Sequence, residues 1–115
     1  MHYVFICLDD GDQSSARQKY LMAHLRYIET KLDKVVLAGP CSPLEKGDRR
    51  EYQGSIMIYD ANTELEARAM FEGDPYAKNG VWSSVKVLPF SAVAGSLIGG
   101  KTWQIDGNDI KRIEL

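Results

Sequence analysis

Tyr3 to Leu8 is a nearly unbroken run of β-branched and aromatic residues closed by Asp9-Asp10-Gly11, the pattern of a strand covered on at least one face. Ser14 or Ser15 can then cap a helix in which Leu21, Leu25, Ile28 and Leu32 recur at i, i+4, i+7 and i+11. This spacing predicts a core-facing stripe and a helix running to about Asp33. Beside it, Arg17, Tyr20, His24 and Tyr27 follow each other at three or four residues and form a polar and aromatic ridge.

Lys34 to Ala38 has strand composition, and Gly39-Pro40 predicts its end, because proline removes a ladder donor. Ser42 to Glu51 reads as an exposed loop, and Tyr52 to Tyr59 as the returning strand of a long-armed hairpin. Thr63 and Glu66 match a capping box, opening a second helix with Ala67, Met70 and Phe71 on its apolar face; Gly73-Asp74-Pro75 closes it. Val81 to Phe90 is a fourth strand, with Pro89 at its end or on a sheet edge.

The order βαββαβ is the ferredoxin-like arrangement of the α+β class, an antiparallel four-stranded sheet with both helices on one face. Its other face is left bare, and the simplest cover is a second copy, giving a homodimeric α+β barrel. We therefore divide the chain into a domain over residues 1–92 and a C-terminal extension over 93–115 that packs on the same domain or on the dimer partner. Within the extension, Lys101 to Ile105 alternates like an extra strand.

Composition narrows the function. The 115 residues suffice for one domain, 44% apolar and 26% charged residues suit a packed core, and a net charge of −2 offers no broad attraction for nucleic acid. No stretch has the roughly 20 apolar residues of a membrane span and no basic leader precedes the first strand, so the expected setting is cytoplasmic, with no membrane partner. Cys7 and Cys41 read as free thiols, Cys7 a packing residue on its strand and Cys41 without a neighbouring base. No metal constellation or phosphate loop stands in the chain, and no cofactor is expected. The mixed charge run Glu45 to Glu51 fits a solvated loop. Tyr76 and Trp82 suit either an aromatic pocket or the core and dimer interface.

Only two histidines exist, and His24 stands where its helix turns from core to cleft. It is either a hydrogen-bonded residue at the core edge or an acid–base group. Asp74 is either a turn residue bonding nearby amides or the carboxylate that fixes the tautomer of His24, provided the fold joins positions 50 apart.

The segments Arg17…His24-Leu25-Arg26-Tyr27, Ala38-Gly39-Pro40, Gly54-Ser55, Asp74-Pro75-Tyr76-Ala77…Gly80-Val81 and Val85-Lys86-Val87-Leu88-Pro89-Phe90 stand in register with a known pattern. Over residues 1–92 the chain resembles the YCII-related (YciI-like) family of small ferredoxin-like proteins that form dimeric α+β barrels. The resemblance implies a His24–Asp74 pair between helices and sheet, with Arg17, Tyr20, Ser55 and Tyr76 toward a substrate. It also implies cofactor-independent acid–base chemistry of a lyase, isomerase or dehydrochlorinase on a small, aromatic-type molecule. The alternative is a non-catalytic dimeric module that binds a small ligand or a partner. The partners expected are a second copy of the chain, or a higher oligomer, and a small molecule. An enzyme site requires the two side chains within hydrogen-bond reach beside an open cavity.

Overall fold

The computed structural model describes residues 1–45 and 50–114. Four strands, β1 (His2–Asp9), β2 (Val35–Cys41), β3 (Gly54–Asp60) and β4 (Trp82–Phe90), form one antiparallel sheet in the order β2-β3-β1-β4. Helix α1 (Ser14–Thr30) follows β1, and α2 (Glu64–Glu72) follows β3. The chain order βαββαβ is thus present, with one addition: a single-turn helix α3 (Pro75–Lys78) between α2 and β4. The charged loop expected over Ser42 to Glu51 lies partly outside the described residues, at positions 46–49.

Register explains which residues form the core. Phe5 pairs with Met57 and Val87, and Tyr3 with Tyr59 and Pro89, so alternate positions of three strands project to one face. Tyr3, Phe5, Cys7, Met57 and Tyr59 are buried there against Ala67 and Phe71 of α2, with Tyr76 of α3 and Trp82 in the same cluster. Phe5 is the hub, stacked on Phe71 at 4.6 Å and meeting Tyr59 edge-on at 5.7 Å. The opposite face carries Ile6, Leu8, Ile56, Leu88 and Phe90, all exposed. Trp82, open between pocket and core from sequence, packs on Phe71 in the core.

Several boundaries move. Strand β2 passes through Gly39-Pro40 to Cys41 instead of stopping there, because it is an edge strand, where proline's missing donor costs least. Helix α1 ends at Thr30 rather than Asp33, and Lys31 donates its amide to Ile28 O to close it. The expected strand Lys101–Ile105 is broken at Thr102. Gly100–Lys101 (β6) pairs with Ala94–Gly95 (β5) around a 3-10 turn, Ser96–Ile98. Trp103–Asp106 (β7) pairs with Asp109–Arg112 (β8) through a two-residue turn led by Gly107 at φ 60°, the type II′ position that favours glycine.

The larger correction concerns α1. Its predicted core stripe does not face the core: Leu21, Leu25 and Leu32 are exposed and only Ile28 packs on the cluster, whereas Arg17 is the buried residue of the helix. The ridge is divided. Tyr20 packs against the core, and Tyr27 donates its hydroxyl to Met70 O at 2.6 Å, tying α1 to α2. Gly73 permits that contact, since a Cβ there would come within 2.5 Å of the Tyr27 hydroxyl.

Truncating Phe5 to alanine removes both ring contacts from a fully buried position. Equilibrium denaturation should show a loss of about 3–5 kcal/mol, the range for deleting a buried aromatic ring.

Candidate active site

Three local structures aim the site. Asp74 caps α3, its Oδ1 accepting the Tyr76 amide at 2.9 Å, and Pro75 suits the first helical position that follows. The same Oδ1 lies 2.7 Å from His24 Nδ1. Both roles open for Asp74 from sequence are therefore filled at once, by a carboxylate that is 0% exposed. Its Oδ2 is buried with no hydrogen-bond partner among the described residues, so the Tyr76 amide and His24 on Oδ1 are the bonds that compensate the buried carboxylate.

Tyr76 fixes the other coordinate of the imidazole. Its ring lies parallel to that of His24, 4.0 Å between centroids and 5° between planes, and its hydroxyl donates to the Arg17 carbonyl at 2.8 Å. Burial raises the Tyr76 pKa, so the phenol is held neutral as a donor. The imidazole is thus gripped on one nitrogen and one face. With the carboxylate on Nδ1, the tautomer that satisfies the bond carries its proton there and leaves Nε2 a lone pair.

Arg17 occupies the floor. Its guanidinium clasps Asp9 with two bonds, Nε to Oδ2 at 2.8 Å and Nη2 to Oδ1 at 2.7 Å, and Nη2 also reaches Gly54 O at 3.1 Å and Ser55 Oγ at 3.2 Å. The rings of Tyr52 and Tyr76 lie 5.3 and 5.4 Å from its central carbon. Burial opposes the charge, but the bonded Asp9 carboxylate outweighs it and holds the Arg17 pKa above its ordinary value. Gly54 must be glycine here, because a Cβ would strike the Cys7 carbonyl.

These groups border one cleft of about 260 Å³ between α1 and the β2–β3 half of the sheet. Arg17, His24, Tyr52, Ser55 and Tyr76 supply its polar and aromatic side; Leu21, Leu25, Ile28 and Met57 supply apolar walls, with Ala38, Gly39 and Pro40 of β2 opposite. The volume falls below the roughly 300–1,000 Å³ of sites that take drug-sized molecules.

Of the sequence-derived candidates, His24, Arg17, Ser55 and Tyr76 border the cleft, and Asp74 stands directly behind His24. Tyr20 is not brought there: its partly buried ring packs against the core, with the Lys19 ammonium over it at 5.3 Å. Arg17 faces the cleft as one half of a salt bridge, not as an unpaired cation. Sequence reading missed Asp9 and Tyr52. Asp9 carried a signal: it ends an apolar strand in phase with Tyr3, Phe5 and Cys7, so it had to point into the core and needed a cation. Cys7 is buried beneath the site, and burial, followed by the Asp74 charge, pushes its thiol up to about 12. Among the described residues no group of three or more His, Cys, Asp or Glu side chains is placed to hold a metal, and no helix is long and apolar enough to cross a membrane.

The YCII-related domain matches residues 1–91. The chain belongs to the YCII-related family. It is 30% identical to Protein YciI of Escherichia coli O6:H1 over 97 residues, 81% of this chain and 99% of that protein, and equally to Protein YciI of Shigella flexneri. Among solved structures it is similar to the 5-chloro-2-hydroxyhydroquinone dehydrochlorinase TftG of Burkholderia phenoliruptrix AC1100, in complex with 2,5-dihydroxybenzoquinone. That match has a TM-score of 0.72 at 26% identity and covers 84% of this chain and 97% of the other.

Two outcomes check the site. Asp9→Ala strands a buried guanidinium and should cost about 3–5 kcal/mol in urea unfolding, as for other broken buried ion pairs. Alkylation of the native protein at pH 8 should modify Cys41 and spare Cys7, which becomes reactive only in denaturant.

Proposed function

We propose that this YCII-related protein is a cofactor-independent acid–base enzyme acting on a small phenolic or quinonoid ring. His24 Nε2 is the base, and Asp74 is the carboxylate that sets the tautomer of the imidazole. The observation that carries the reading is the 2.7 Å Nδ1–Oδ1 bond between a buried carboxylate and a histidine whose side chain stays 16% exposed at an open cleft. The dehydrochlorinase activity named for the structural neighbour supports the substrate class.

In the proposed step, Nε2 takes a proton from a ring hydroxyl or an activated ring carbon, and the electron pair passes into the ring. Where the ring bears chloride, it reacts as the keto tautomer, in which a proton shifted from a second hydroxyl makes the chlorinated carbon tetrahedral. The pair then forms the new C=O, shifts the ring double bond and expels chloride, and the products are chloride, an imidazolium and a quinone lacking the elements of HCl. No oxidant is consumed. Asp74 stabilises the imidazolium until its proton returns to water, and Tyr76 keeps the imidazole plane fixed throughout. Arg17 and Ser55 orient a ring oxygen from the floor, and the aliphatic walls exclude water from the opposite side.

The same proposal includes a two-fold pair of chains. Ile6, Leu8, Ile56, Leu88 and Phe90 leave the back of the sheet apolar and exposed, and a second sheet packed face to face buries both at once, giving the dimeric barrel.

His24→Asn tests the chemistry, because its amide nitrogen can still donate to Asp74 while no basic nitrogen remains. With hydroxylated chlorohydroquinones, chloride release should fall about 10²- to 10⁴-fold, the usual contribution of a positioned base, with thermal unfolding little changed. Unaltered turnover in a folded His24→Asn protein would sink the assignment. Binding of 2,5-dihydroxybenzoquinone without turnover of any ring tested would leave a ligand-binding module instead.

A further inference from the structure

The extension after β4 is exposed along most of its length. Among the described residues, the hydrogen bonds that tie it together close within it: Thr102 N and Oγ1 to Val93 O, Ile113 N to Thr102 O and Gly99 N to Ser96 O, besides the two short ladders. The molecule has a long axis of 54 Å and a radius of gyration of 16.8 Å, against about 13 Å for a compact chain of this length. The YCII-related match stops at residue 91 and the YciI relatives are covered to 99% of their length, so this arm is an addition to the family's common fold.

The β7–β8 hairpin is two-faced. The pairs Trp103–Arg112 and Ile105–Ile110 lie on one side, and Gln104–Lys111 and Asp106–Asp109 on the other. Ile105 and Ile110 are 67% and 70% exposed. A lone two-stranded hairpin is marginal in water, so this apolar side needs a surface to cover.

Among the described residues, none of the arm lines its own cleft. The cleft lies against β2 and β3, whereas the arm continues from β4 on the opposite edge of the sheet. It departs at Phe90, beside His2 and far from the Asp9 end where Arg17 is clasped. A second copy presents an unburied surface of matching character: the exposed Leu21 and Leu25 of α1, which also form the cleft wall, with Leu32 just beyond the helix. The total surface fits such an exchange. The chain exposes 8103 Å², about 1,800 Å² more than a compact monomer of its mass. Each chain of an obligate dimer buries about 1,000–2,500 Å².

We infer that the C-terminal arm is exchanged between two copies, the Trp103–Ile105–Ile110 side of one chain docking on the Leu21–Leu25 rim of the other and completing the mouth of its cleft. The arrangement requires a two-fold axis parallel to the strands, which sets the β4 edge of one sheet beside the β2 edge of the other. The inference rests on the paired assembly proposed above. It adds a residue set from the partner to a site that one chain leaves open.

Directed cross-linking tests it in the full chain, with Cys41→Ser throughout and the buried Cys7 retained. Chains carrying Leu25→Cys are mixed with chains carrying Ile105→Cys and mildly oxidised; a disulfide requires the two Cα atoms within about 7 Å. The expected result is a covalent heterodimer at twice the chain mass, absent when Gln104→Cys, on the polar side of the same strand, replaces Ile105→Cys. A dimer by light scattering that yields no such product, or yields it equally with Gln104→Cys, overturns the exchange and leaves the paired sheets standing. A monomer by light scattering overturns both. An intact fold is verified by the unfolding midpoint of each variant before mixing.

Discussion

The site depends on one buried carboxylate. Asp74 has no access to water, and it meets the demand for compensation with one oxygen shared between an amide and an imidazole. That sharing joins three parts of the chain. It starts the turn of α3, places the Tyr76 ring under His24, and fixes which nitrogen of His24 is presented to the cleft. The cost of burying a charge is what makes the geometry strict, since a carboxylate without either partner would be several kcal/mol out of balance.

A second buried charge organises the floor. Arg17 is the interior residue of a helix whose leucines lie outside, an inversion of ordinary amphipathic packing. The reason lies in the sheet. Asp9 enters the core from the end of β1, and α1 must bring it a cation, which turns the helix so that Leu21 and Leu25 border the cleft instead of the core. The helix therefore places its apolar stripe on walls and surface, and this is the origin of both the small cleft and the exposed rim beside it.

The relatives share the scaffold across 81–84% of the chain at 26–30% identity. A common fold does not carry chemistry with it, because function resides in particular side chains set upon the scaffold. In this chain those side chains are a carboxylate–imidazole pair with an aromatic ring stacked beneath it.

Much was legible along the chain. The apolar run of β1, the capping box at Thr63, the Gly73-Asp74-Pro75 stop and the periodicities between them specify βαββαβ, because strand and helix periods and cap chemistry are local properties. His24 and Asp74 were identifiable as candidates by residue type and place. What only the tertiary structure decided is long-range. It put Asp9 opposite Arg17, rolled the leucine stripe of α1 away from the core, drew Tyr20 out of the cleft region and broke the C-terminal strand into two hairpins. Periodicity marks an apolar face without saying what it faces. The energy of a buried charge, which overrode that face here, depends on the partner that folding delivers.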